Sequence, residues 1–145
     1  MTGSMQKNDG SDEILYGECS WNTGKGFRAW SKYGEVGMFE NGGHRAIELM
    51  LISAASCLGY FLARYVDERS LPVVDIRVRC GGTPAKRPER MERITTEVIV
   101  EGAISDAERK KMLIVCERAC KVMNTLKYQP TIETVLKTQA GETIV

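Results

Sequence analysis

From Leu49 through Ala63 the chain runs for 15 residues without a charge, bracketed by Glu48 and Arg64. As a helix that run is roughly 22 Å long at 1.5 Å per residue, whereas crossing a membrane takes about 20 apolar residues. It is also too continuous for a surface helix with a single apolar stripe. A central core helix over Ala46–Val66 is therefore expected. A chain of 145 residues is long enough for one domain with its own core. It is too short to cover every face of such a helix, so a second subunit, as a homodimer, is expected to complete the burial.

Composition narrows the function classes. A net charge of +1 gives no global attraction to nucleic acid or to a membrane surface. The opening MTGSMQKNDGSDE has no apolar segment of the signal-peptide kind. Residues 1–12 read as a disordered tail and 13–145 as the folded domain. The 5 cysteines (Cys19, Cys57, Cys80, Cys116, Cys120) are an odd set without framework spacing. Together these features imply reduced thiols in a cytoplasmic protein rather than a disulfide scaffold.

The pattern along the chain alternates strands and helices. EILYGECSW reads as a strand, NTGKG as a turn, and FRAWSKYGEVGMFE as two short strands around Tyr33 and Gly34. NGGH breaks the sheet before the long helix. VVDIRVRC alternates Val74, Ile76, Val78 and Cys80 with Asp75, Arg77 and Arg79, as a half-buried strand does. GGTPAKRPER reads as a loop and MERITTEVIVEG as the returning strand. Ser105 and Glu108 form a capping-box signature that opens a second helix, with Met112, Val115, Cys116 and Ala119 as its apolar stripe. That helix is expected to end at Cys120, and TIETVLK, after Pro130, reads as a last strand. The class is α+β.

Cys57 sits in the middle of the apolar helix, among Ser53, Ala54, Ala55, Ser56 and Gly59. It is either a small core filler or a nucleophile beside which small neighbours leave room. Glu48, nine positions earlier, falls near the opposite side of an ideal helix, so a direct local pair is not expected. Cys116 and Cys120 share a helical face at i, i+4. A zinc site needs about four nitrogen or sulfur ligands, and one histidine with scattered cysteines is a poor set; no metal and no cofactor are expected. Cys120, at the helix end, is expected to be better exposed than a mid-helix residue. Lys86, Arg87 and Arg90 read as a solvated hairpin loop, with an anion site as the alternative. His44 reads as a loop or capping residue.

Two motifs, IELMLISAASC and, some sixty residues on, CKVMNTL, resemble those of the OsmC/Ohr family of osmotically inducible and organic-hydroperoxide-resistance proteins, over roughly residues 13–137. The resemblance implies an OsmC-like fold, antiparallel sheets with a long central helix, in an intertwined homodimer. It also implies thiol-dependent reduction of organic hydroperoxides, with a dithiol as reductant and no nucleic acid or membrane as partner. By the same resemblance Cys57 is the peroxidatic cysteine and Cys120 the resolving one. Glu48 orients a cation over the thiolate, with Lys25 or Arg28 in TGKGFR as that cation.

The chain departs from the family pattern in three places. Lys121 stands where a proline usually follows the second cysteine, HRAI replaces the usual Ser/Asn-Pro before Glu48, and neither basic residue of TGKGFR aligns cleanly. These differences put the chain on a branch apart from the typical hydroperoxidases. The chemistry is that of a thiolate stabilised by a nearby cation, oxidised to a sulfenic acid and condensed with a second thiol. Met50, Leu51, Tyr60 and Phe61 are the residues expected to receive the apolar part of a hydroperoxide, or to be plain core. The alternatives are a non-catalytic module binding an acyl or anionic ligand, and a cysteine hydrolase using Cys57 with His44.

Overall fold

The computed structural model describes residues 15–39 and 43–144. The expected tail, 1–12, and Ile14 of the first expected strand lie outside the described residues. The chain forms two compact units, Met1–Glu48 and Leu49–Val145, and the division falls inside the long helix.

The first unit is a three-stranded antiparallel sheet of β1 (Glu18–Asn22), β2 (Gly26–Ser31) and β3 (Gly34–Val36), in the order β1-β2-β3. Turn chemistry sets its register. The Asn22 side-chain oxygen accepts the backbone N–H groups of Gly24 (3.1 Å) and Lys25 (2.7 Å), an Asx-type turn. Glu18 pairs with Trp30 across the strands, and the indole N–H donates to its carboxylate at 2.7 Å. Phe27 meets Phe39 edge to face at 5.0 Å.

The second unit holds the core. Helix α1 (Ala46–Arg69) is followed by β4 (Val73–Lys86) and β5 (Glu89–Gly102), an antiparallel hairpin, then by α2 (Asp106–Ala119) and α3 (Lys121–Lys127). Ile76 lies opposite Val100, and Val78 opposite Val98. These four side chains pack against Leu58, Leu62 and Tyr65 of α1 and Met112 and Cys116 of α2. Each fully buried leucine contributes about 1.5–3 kcal/mol by burial. Gly59 lets the hairpin close on α1: a Cβ there would stand 3.7 Å from Val78. Gly102, at φ +154°, passes so near Pro72 that a Cβ would lie 2.3 Å from its carbonyl oxygen. No L-residue fits that position without strain.

Helix α1 ends in a Schellman motif. Ser70 takes a left-handed conformation (φ 48°), its N–H reaches Asp67 O, and the N–H of Leu71 reaches Val66 O. At the start of α2, Ser105 Oγ accepts the Glu108 N–H at 3.1 Å. The Glu108 carboxylate takes the Tyr65 hydroxyl at 2.9 Å.

Several expectations are corrected. Residues 131–137 form no strand; Ile132 is 84% exposed, and Lys137 bridges only to Thr143. An alternating pattern becomes a strand only where it pairs with another, and this segment joins neither described sheet. GGTPAKRPER is mostly strand, because backbone pairing carries the ladder from Gly81–Thr95 out to Lys86–Glu89 although neither face is apolar enough to signal it. In α2, Val115 and Ala119 are exposed, and the buried stripe is Met112 and Cys116. Helix α1 buries only Ala54, Leu58, Leu62 and Tyr65 fully, while Ile52 stays 45% exposed. Its 24 residues, 17% buried over the most apolar window, are long and apolar enough to cross a membrane by length and composition. Its packing under a hairpin and α2 makes it the core helix of this unit.

Candidate functional site

Cys57 lies beside the buried stripe of α1, half-buried and packed on the core cluster. On the same helix Ser53 and Ser56 are exposed, while Met50, Leu51, Tyr60 and Phe61 are half-buried. The helix thus presents its cysteine at the border between core and surface.

Cys120 reaches the same cluster from a break between helices. Its extended backbone (φ −71°, ψ 104°) stops α2 after Ala119, and α3 begins at Lys121. Asn124 fixes the break. Its N–H donates to Cys120 O (3.0 Å) and its side-chain amide to Arg118 O (3.0 Å), satisfying a carbonyl that the ending helix leaves free. Thr125 Oγ1 donates to Lys121 O at 2.8 Å. Lys121 is the first helical residue, the position where a proline is favoured because its missing N–H costs no helical bond. A lysine there still lets α3 start. Cys120 is 0% exposed, against the expectation from its place at a helix end, because the chain folds back over it as α3.

Cys57 packs against the buried cluster that contains Cys120. Burial pushes the Cys120 thiol up to about 11, and a hydrogen bond with Cys57 and the charge there add to the rise; the N–H groups of Met123 and Val122 oppose it. Cys116, one turn earlier, is also pushed up to about 11 by burial, against a smaller opposing effect of Arg69. Its thiol belongs to a cleft of about 120 Å³ lined by Phe61, Tyr65 and Arg69. Cys80 contacts Thr96 Oγ1 at 3.3 Å, and Cys19 is exposed. All five cysteines are free thiols. Among the described residues no three His, Cys, Asp or Glu side chains gather as metal ligands.

The other anticipated residues lie in the first unit or at the hairpin tip. Glu48 is held by Arg45: the guanidinium donates at 2.6 and 3.0 Å and the Arg45 N–H at 3.2 Å. The Arg45 side chain, then its backbone N–H, holds the Glu48 carboxyl below the usual range. Arg28 makes a bidentate pair with Glu35 (3.0 and 2.7 Å), which lowers the Glu35 pKa and raises that of Arg28. Lys25 serves the β1–β2 turn through its backbone. His44 is exposed, and its backbone bonds Gly37 and Phe39. Lys86, Arg87 and Arg90 are exposed at the end of the β4–β5 hairpin.

Sequence reasoning missed Arg45 as the partner of Glu48, although the i, i+3 spacing at a helix start was visible. It also missed what Asn124 does, five residues past the end of α2 and within α3.

The fold is α+β, with Cys57 on its long helix packed against the cluster that holds Cys120, at a break between two further helices. The family model of OsmC-like proteins matches residues 39–135, and the chain belongs to that family. An OsmC-like protein from Mycoplasma pneumoniae is similar in structure at 14% identity and a TM-score of 0.70, covering 82% of this chain and 91% of that one. A hypothetical protein from Aquifex aeolicus matches at 19% identity and 0.69, covering 83% and 92%. An organic hydroperoxide resistance protein OsmC from Legionella pneumophila matches at 12% identity and 0.56, covering 81% and 92%. No curated protein matches by sequence.

Proposed function

We propose that this protein is a thiol-dependent peroxidase that reduces organic hydroperoxides in the cytoplasm, as a homodimer, at the expense of a dithiol. The observation that carries the reading is that Cys57, on α1, packs against the buried cluster holding Cys120, at the break between α2 and α3.

In the proposed cycle the Cys57 thiolate attacks the distal oxygen of the hydroperoxide. The O–O bond breaks, and the alcohol leaves after taking a proton. Cys57 becomes a sulfenic acid. Cys120 then attacks that sulfur, water leaves, and a disulfide forms, which a dithiol reduces back. The surroundings fit the two roles: the half-buried Cys57 is open to a substrate, and the fully buried Cys120 is sheltered from any oxidant but its neighbour. Met50, Leu51, Tyr60 and Phe61 along α1 would favour an apolar substituent. Glu48 is proposed to position a cation for Cys57, with Arg45, Arg28 and Lys25 as the basic residues to test.

The hydroperoxide-resistance designation of the Legionella structure supports the reading by analogy of fold. The exposed Ile52 on α1 supports a second subunit covering that helix.

Purified protein with dithiothreitol should consume cumene hydroperoxide faster than hydrogen peroxide by roughly tenfold or more, from two or three buried methylenes at about 0.8 kcal/mol each. Cys57→Ser should be inactive. Cys120→Ser should stop after one turnover, with a sulfenic acid on Cys57. Turnover by Cys57→Ser would end the proposal. Saturable binding of an acyl ligand without turnover would favour a binding module instead.

A further inference from the structure

We infer that the reductant attacks the Cys57 sulfur and expels Cys120, an order that rests on the Cys57–Cys120 disulfide proposed above. In thiol–disulfide exchange the sulfur attacked is decided by access as well as by leaving-group strength, and access here is one-sided. Cys120 is 0% exposed, enclosed with Leu58, Leu62, Met112 and Cys116 in one core cluster. Cys57 is half-buried at the edge of that cluster.

The step balances without any group beyond the dithiol. The reductant's thiolate bonds to Cys57 Sγ, the Cys57–Cys120 bond breaks, and its electron pair goes to Cys120 Sγ, which takes a proton. The reductant's second thiolate then attacks its own first sulfur. It leaves as a cyclic disulfide and releases Cys57 as the thiolate that begins the next turnover.

Leaving-group strength pulls the other way. A Cys120 thiol pushed up to about 11 leaves roughly tenfold more slowly than an ordinary one. Two features reduce that handicap: part of the rise comes from Cys57 itself, which is bonded elsewhere when Cys120 departs, and the N–H groups of Val122 and Met123 favour the departing thiolate. Admitting a reductant to Cys120 instead requires opening the most buried part of the unit, which costs more than one decade in rate because core openings lie near the top of the local-unfolding range.

The test uses the full chain. The protein is oxidised with one equivalent of cumene hydroperoxide, and the Cys57–Cys120 disulfide is verified by peptide mass. Glutathione is then added briefly, free thiols are capped with N-ethylmaleimide, and the peptides are mapped. The expected result is glutathione on Cys57 and maleimide on Cys120, in roughly tenfold excess over the reverse pattern. Glutathione on Cys120, or an even split, overturns the inference while leaving the peroxidase reading intact. Absence of the disulfide at the first step removes both.

Discussion

The two units of this chain are held by different kinds of contact. In the first, the specific interactions are polar and exposed: Arg28 with Glu35, Glu18 with Trp30, Arg45 with Glu48. In the second, the core is apolar and buried, and the half-buried polar contacts around it are Cys80 with Thr96, the Tyr65–Glu108 pair and Arg109 on the carbonyls of Val100, Gly102 and Ile104. Exposed ion pairs typically stabilise by only about 0–1 kcal/mol, whereas a buried leucine truncated to alanine costs about 2–5 kcal/mol. The first unit is therefore suited to presenting charge, and the second to holding buried side chains in fixed geometry.

The sharpest way to break that contrast is truncation. Leu62→Ala should lower the unfolding free energy by about 2–5 kcal/mol, and Arg28→Ala, at an exposed ion pair screened by water, by far less, both read from urea denaturation. Comparable losses would mean that the second unit does not carry the core.

The next effect is on the thiols. Asn124→Ala leaves the Arg118 carbonyl without its donor and frees the break that aims Cys120, at a cost of about 1–2 kcal/mol. Disulfide formation after hydroperoxide addition should slow about tenfold, the factor corresponding to 1.4 kcal/mol, while alkylation of Cys57 in the reduced protein keeps its rate. An unchanged disulfide rate would show that Cys120 is aimed by packing alone.

The buried thiols also predict an alkaline limit. A thiol whose folded pKa is raised stays protonated when the unfolded chain has already ionised, so its stabilisation is complete below about 9 and is lost as pH rises toward about 11. Cys116→Ala, compared with wild type, should flatten the fall in stability across that window by on the order of 1–2 kcal/mol. Parallel curves would mean that Cys116 does not resist ionisation.

A smaller effect concerns the end of α1. Ser70→Gly relieves a left-handed residue and should stabilise by about 1 kcal/mol, raising the melting temperature by a few degrees. A decrease would contradict the Schellman geometry.

Much of this molecule was legible in the sequence, and the exceptions share a cause. The long helix, the Ile76–Val100 hairpin and the Ser105 cap follow from local pattern, and the structure has them. The two motif cysteines were readable only through family resemblance, because spacing alone says nothing about two residues so far apart meeting in space. What failed was everything decided by neighbours. The segment expected as a strand at 131–137 pairs with neither described sheet, the outer hairpin lacked an apolar face to announce it, and Cys120 was buried beside a third helix that seven residues of ordinary composition did not advertise. Glu48 found Arg45 three residues away, a pairing that the search for a distant cation had passed over.

The claim at the centre is that Cys57 and Cys120 act as one redox pair. It is tested most directly by adding one equivalent of cumene hydroperoxide to the reduced protein and measuring free thiols and intact mass. The account predicts a loss of two thiols and two hydrogens per chain, with the bond mapped to Cys57 and Cys120 and Cys19, Cys80 and Cys116 still free. An unchanged thiol count, or a disulfide that takes in Cys116 in place of Cys120, would contradict it.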